Sequence, residues 1–145
     1  MRIYKLTSKK TNEIYVGKTD VTLNERFRKH KSDYRRWLND TGKFNSSYFL
    51  TEYDDVNIEL IEETNNSLRE IYWIHVSNCC NFEHNNEHFL ITKVNDKECT
   101  QGFRWRFTVQ KDKQRLVRKR SVDLDVVIEF RDKWLELNKD LFISD

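Results

Sequence analysis

The 145-residue sequence contains no proline, three glycines and three cysteines. Two of the cysteines, Cys79 and Cys80, are adjacent, so no disulfide framework can be drawn from them, and a reducing environment fits best. No run of about 18 apolar residues occurs, which excludes a membrane-spanning helix. The chain opens directly on a strand-like pattern and shows no apolar leader region. Net charge is only +2, so the total says nothing about a polyanionic partner. What the chain does have is 13% aromatic residues beside 34% charged ones, enough to bury a core and unlike a disordered composition. The length allows one domain or two very small ones.

Two short β-rich runs stand at the start. Arg2-Ile3-Tyr4 and Tyr15-Val16-Gly17-Lys18 flank the polar turn Thr11-Asn12-Glu13 and read as a β-hairpin. If they pair, Tyr4 and Tyr15 lie on neighbouring strands. Gly17 ends the second run where the backbone must bend or closely approach another group. Next, Thr22 and Glu25 form a capping box that opens a helix. Its apolar positions Leu23, Phe27, Tyr34 and Leu38 share one face. Arg26 and His30, four apart, are neighbours on that helix, which should stop near Asn39. Ser46 to Tyr53 reads as a short second helix with Tyr48, Phe49 and Leu50 turned inward. Val56 to Leu60 alternates as a half-buried strand does.

A third helix is expected from Thr64 or Ser67 to about Asn78. Two placements of Glu70 remain open. With Ser67 as cap, Ser67-Leu68-Arg69-Glu70 is a capping box and the carboxylate holds a backbone N–H. With Thr64 as cap, Glu70 lies in the second turn with a free side chain. From Cys79 to His88 the chain is polar and irregular, and a boundary falls near 84–89. Cys79, Cys80, His84 and His88 suggest zinc, but adjacent cysteines poorly suit one tetrahedral ion, and buried thiols with surface imidazoles are the preferred reading.

Charge is distributed unevenly. Between Arg104 and Arg120 stand eight cations (Arg104, Arg106, Lys111, Lys113, Arg115, Arg118, Lys119 and Arg120) against one acid, Asp112. Such a cluster attracts a polyanion, most often nucleic acid. Phe103, Trp105, Phe107 and Val109 alternate with Arg104, Arg106 and Thr108, which on a strand separates aromatics from arginines. Gln110 to Lys113 reads as a turn, Gln114 to Ser121 as a basic return strand, and Asp123 to about Asn138 as an amphipathic helix.

The ordered set Tyr4, Tyr15-Val16-Gly17, Arg26, His30 and Glu70, with Trp73-Ile74 just beyond, resembles the GIY-YIG nuclease family over about residues 1–85. The resemblance implies an α+β fold, a small three-stranded antiparallel sheet flanked by helices. It also implies a phosphodiester hydrolase that uses a divalent metal. Glu70 would hold Mg²⁺ or Mn²⁺, with water completing the shell, and Arg26 would hold the phosphate through a planar fork. Tyrosine ordinarily titrates near ~10 and is a poor base. A neighbouring cation favours the phenolate, and Lys18 is placed to provide it. By resemblance, Tyr4 or Tyr15 is the base, His30 assists, and Asn81 or Asn85 positions groups. Both choices stay open, with Asn85 carried in the site set. Arg2 stands where the first motif has glycine, Val16 where the second has isoleucine, and Arg26 falls one residue late after Gly17. The last is an insertion in the loop, since the Arg26–His30 spacing is kept.

The C-terminal part, from Gly102-Phe-Arg-Trp-Arg-Phe through the basic hairpin and Val126 to Leu135, resembles the small sheet-plus-helix DNA-binding modules of the AP2 and integrase-arm type. Two domains are therefore expected: a nuclease domain at 1–86 and a basic sheet-and-helix DNA-binding module at 87–145. The reading is a metal-dependent endonuclease tethered to double-stranded DNA, with no membrane partner. It resembles homing or selfish nucleases of phages and large DNA viruses, an analogy that an Asn- and Lys-rich, proline-free composition joins by suggesting an AT-rich genome. It would act intracellularly, in the cytoplasm or nucleus of a host, and would not be secreted. A double-strand break from one active site needs a transient homodimer on DNA, a flip or two visits. The alternatives are a degenerate, non-cutting DNA-binding protein and a structure-specific repair or recombination nuclease.

Overall fold

The computed structural model describes residues 1–77, 79–81 and 90–143. The chain divides into two compact units between residues 84 and 85.

In the first unit, β1 (Arg2–Thr7) lies between β2 (Tyr15–Thr19) and β3 (Asn57–Glu63), and both pairings are antiparallel. This is the expected three-stranded sheet. Across the hairpin Tyr4 faces Gly17 and Leu6 faces Tyr15. Side chains two apart share a face, so both tyrosines and Gly17 point to the same side. That side is covered by α1 (Leu23–Leu38) and α2 (Tyr48–Thr51), and the core there contains Tyr4, Leu6, Tyr15, Leu50 and Val56. The Thr22–Glu25 capping box forms as read, with each side chain bonded to the other's backbone N–H, and Asn39 caps the far end. Tyr48 and Leu50 are buried, whereas Leu60, on the edge strand β3, stays 47% exposed.

The third helix departs from expectation. α3 spans Arg69–Val76, with Leu68 at its N-cap position and no side-chain cap. Neither Thr64 nor Ser67 stands at its N-cap position. Thr64 Oγ1 instead accepts from the Asn66 N–H, and Asn66 Oδ1 accepts from the Leu68 N–H. These local side-chain bonds compete with a helical turn, and they delay the helix until Glu70 falls in its first turn.

The second unit contains another antiparallel sheet, β4 (Ile91–Asn95), β5 (Phe103–Lys111) and β6 (Gln114–Ser121) in that order, followed by α4 (Leu124–Leu137) and α5 (Asp140–Ile143). The β5–β6 turn is tighter than the four residues read from the sequence. Asp112 and Lys113, with φ of 49° and 68°, make a two-residue turn whose positive φ values suit the strand twist. Asp123 caps α4 by accepting from the Asp125 N–H. Phe107 is fully buried and meets Phe130 and Trp134 of α4 edge-on. The aromatic side of β5 thus faces the helix.

Candidate active site

Tyr4 is 0% exposed, and its ring crosses from β1 over the position opposite, Gly17. The glycine is required by space. A Cβ there would lie 2.6 Å from the Tyr4 hydroxyl, 2.7 Å from Cζ and 3.0 Å from Cε1 of Tyr15. The two phenol rings stand 6.4 Å apart by centroid, and the His30 ring is edge-on to both at 5.7 and 5.6 Å.

Arg26 and His30 reach Tyr4 from one face of α1. Arg26 Nε donates to the Tyr4 oxygen at 2.8 Å, and His30 Nε2 lies 2.7 Å from the same oxygen. Among the described residues the terminal nitrogens of Arg26 have no hydrogen-bond partner. His30 Nδ1 lies 3.0 Å from the hydroxyl of Ser47. Burial, reinforced by the Arg26 charge, lowers the imidazole to about 4, so it is neutral at physiological pH. Burial also raises the Tyr4 phenol. Arg26 pulls it back by hydrogen bond and by charge, the Glu70 charge raises it further, and Tyr15 lowers it slightly. Tyr15 is pushed up more strongly, first by burial and then by the charge of Tyr4.

Glu70 stands close enough for its charge to act on both phenols. Its carboxylate Oε2 lies 2.8 Å from Lys18 Nζ, with the side chains 20% and 45% exposed. Glu70 is therefore held by an ammonium rather than by a main-chain amide. Lys18 was expected to favour a phenolate; in the structure its charge lies on Glu70, and the cation on Tyr4 is Arg26. Among the described residues no group of three or more His, Cys, Asp and Glu could hold a metal. One hard carboxylate fits an ion such as Mg²⁺, which keeps several waters and takes further oxygens from substrate phosphate.

Of the two asparagines, Asn81 turns its amide onto the β2 main chain. Its Oδ1 accepts from the Val16 N–H at 2.5 Å and its Nδ2 donates to the Val16 carbonyl, so its amide completes the outer edge of β2. Asn85 lies outside the described residues, as do His84 and His88. Cys79 and Cys80 are half-buried, and burial raises both thiols, Cys80 to about 12.

Sequence reasoning missed Ser47. It lies 17 residues from His30 in a run, Asn45-Ser46-Ser47, that carries only turn and cap signals.

In the second unit the cations divide between two faces. Arg106 pairs with Arg120 and Thr108 with Arg118, whereas Lys119 pairs with Phe107. Directly opposed residues share a face, so Lys119 lies on the helix side, its ammonium 5.4 Å from the Phe130 ring centroid. Arg106, Arg118 and Arg120 share the open side. The charges of Arg115, then Arg120 and Arg106, lower the Arg118 guanidinium below its usual range. Arg104 Nε lies 2.8 Å from Asp96, Lys111 pairs with Gln114 at the end of the ribbon, and Lys113 is in the turn.

A three-stranded antiparallel sheet that aims two phenols at an Arg–His helix, with a carboxylate beside them, is the layout of a phosphodiester-cleaving domain. Residues 1–81 match the family model of the GIY-YIG catalytic domain, more than half of the 145 residues, and the chain belongs to that family. Its members are nucleases that generally depend on a divalent metal. Comparison with curated proteins and with solved structures returned no match.

Proposed function

We propose that the chain is a Mg²⁺- or Mn²⁺-dependent DNA endonuclease of the homing type, with its second unit as a DNA tether. The observation that carries the reading is the Arg26–Tyr4–His30 contact set. Of the two tyrosines, Tyr4 is the base. Its oxygen meets a guanidinium that favours the phenolate and an uncharged imidazole that can take its proton. Tyr15 supports it from the adjacent strand.

In the reaction, Tyr4 passes its own proton to His30 Nε2 as it takes that of the attacking water; the water oxygen adds to phosphorus, the P–O ester bond breaks, and the leaving oxygen takes a proton from solvent. Tyr4 has no exposed surface, and Arg26 is bonded to it through Nε alone. A substrate phosphate engaging the terminal nitrogens of Arg26 as a planar fork draws the guanidinium outward and opens the phenol to water. A divalent ion, when bound at Glu70, supplies Lewis-acid stabilisation of the charge developing on the phosphate. With an ion on Glu70, Lys18, which pairs with Oε2, would be available to a phosphate oxygen.

The second unit extends this to double-stranded DNA. An arginine-lined sheet face backed by a helix suits the major groove, as in AP2-like and integrase-arm modules, where arginines read base edges. Arg104, Arg106, Arg115, Arg118 and Arg120 would make those contacts, with Lys111 and Lys113 on phosphates. Such a tether raises the local concentration of a weak cutter. The residues divide as a cutter at 1–86 and a reader at 87–145.

The test is plasmid nicking in Mg²⁺ or Mn²⁺ beside a gel-shift assay. Wild type should cut, and Glu70→Ala should bind and not cut. A wild-type chain that shifts DNA but never nicks it with either ion would make this a degenerate binding protein. Cleavage undiminished in Glu70→Ala would remove Glu70 from the site.

A further inference from the structure

Ser47 stands where a helix cap belongs and does not act as one. It immediately precedes α2, a place where a serine usually turns its hydroxyl onto the helix's free N–H groups. Here its backbone is already helical, with φ −60° and ψ −17°, and its side chain makes no cap bond. Its main chain is fixed on both sides. The N–H donates to Asn45 Oδ1 at 2.9 Å, and the carbonyl accepts from the Thr51 hydroxyl at 2.8 Å. The residue is 0% exposed, and its oxygen lies 3.0 Å from His30 Nδ1.

The other side of the ring has a defined polarity. A guanidinium can only donate, so Arg26 Nε–H occupies a lone pair of the Tyr4 oxygen. The phenol keeps one proton, and the nearest nitrogen to its oxygen is His30 Nε2 at 2.7 Å. If Nε2 carried the ring proton, Tyr4 would accept twice, and its own O–H would be left in a buried site with no acceptor at that nitrogen, a state that buried donors avoid. With the ring proton on Nδ1, the chain runs one way. Tyr4 O–H donates to Nε2, and Nδ1–H donates to Ser47.

We infer that Ser47 is a positioning residue that fixes His30 in the Nδ1–H tautomer, so that Nε2 presents its lone pair to Tyr4. Only this tautomer lets the imidazole receive the phenol's proton when Tyr4 acts as base. Accepting it gives an imidazolium with N–H groups on both sides, and Ser47 remains the acceptor for Nδ1–H. The role of the serine is thus the same before and after the transfer. The inference rests on the reading of Tyr4 as the base, but the tautomer itself is a property of the protein without DNA.

The experiment is ¹⁵N NMR of the ring nitrogens in the 145-residue chain labelled at histidine, at neutral pH without substrate. His30 is assigned by comparison with His30→Gln. A protonated Nδ1 and an unprotonated Nε2 are expected in the wild type; the reverse would overturn the inference. Ser47→Ala should move His30 towards the Nε2–H form. Its kcat should fall on the order of 10- to 100-fold, a fraction of what general-base catalysis supplies, with KM unchanged. Ser47→Thr, which keeps the hydroxyl, should restore the wild-type ring spectrum. A Ser47→Ala protein with wild-type tautomer and kcat would overturn the assignment. If the wild type proves unable to cut DNA, Tyr4 loses its role as base while the ring spectrum still decides the tautomer.

Discussion

Gly17→Ala is the most direct test of the site's geometry, because one carbon atom is all it adds. Gly17 does not have the left-handed φ that favours glycine; among the glycines only Gly102 does. Alanine can therefore adopt the same backbone, and the effect isolates the close approach. The new Cβ would lie 2.6 Å from the Tyr4 hydroxyl, against an ordinary contact of roughly 3.5 Å. The phenol oxygen must yield by about 0.9 Å, the difference of those two distances. That movement stretches the 2.7 Å and 2.8 Å bonds to His30 and Arg26 to the limit of hydrogen bonding. Tyr4 is fully buried, so its ring has little room to give. Overpacking of this kind costs ~1–3 kcal/mol, and misplacing a reacting group by ~1 Å costs on the order of 100-fold in rate. The assay pairs thermal unfolding with single-turnover nicking of supercoiled plasmid. A modest loss of stability should accompany a rate loss far larger than the folded fraction explains. Gly17→Ala protein that cuts at the wild-type rate would refute the claim that the Tyr4 oxygen is the reacting base held in this position.

Two further outcomes follow from the electrostatics. His30 is held at about 4 in the folded chain against about 6.5 when unfolded. As pH falls through that window the unfolded chain takes up a proton that the native chain refuses, so stability declines on acidification, by about 3 kcal/mol once the lower value is reached. Urea unfolding at pH 7 and pH 5 should show the loss, and His30→Gln should flatten it; an equal slope in that variant would contradict the buried neutral imidazole. In the second unit, replacing Arg106, Arg118 and Arg120 with alanine should weaken DNA binding by ~1–3 kcal/mol per lost base contact, read in a gel-shift titration. Lys119→Ala, on the helix side, should leave the affinity unchanged, and an equal loss there would refute the division of faces.

The first unit's site was readable because its parts lie on regular elements. Tyr4 and Tyr15 follow from strand parity, and Arg26 with His30 from helical period, both local properties of a sequence. Glu70 was readable as a residue but not in its setting. Thr64 and Asn66 carry their own turn bonds, which delayed α3 and left the carboxylate to Lys18. Ser47 was illegible because only packing of α2 against α1 brings it to His30. Lys119 is a different case. Parity along Val117, Lys119 and Ser121 already separates it from Arg118 and Arg120, and counting charges without that alternation merged the two faces.

The amide of Asn81 has a consequence for how the cutter can be moved between proteins. It supplies to Val16 the acceptor and donor that a fourth strand would bring, and beside it the Cys80 N–H donates to the Ile14 carbonyl, so two successive residues close the hairpin's outer margin there. Bare margins of this kind recruit other chains and lead to aggregation. The family match also ends at residue 81. A graft of this catalytic unit onto a different DNA reader should therefore carry residue 81 with it, whereas a fusion joined at residue 79 would leave the hairpin unsealed and sticky.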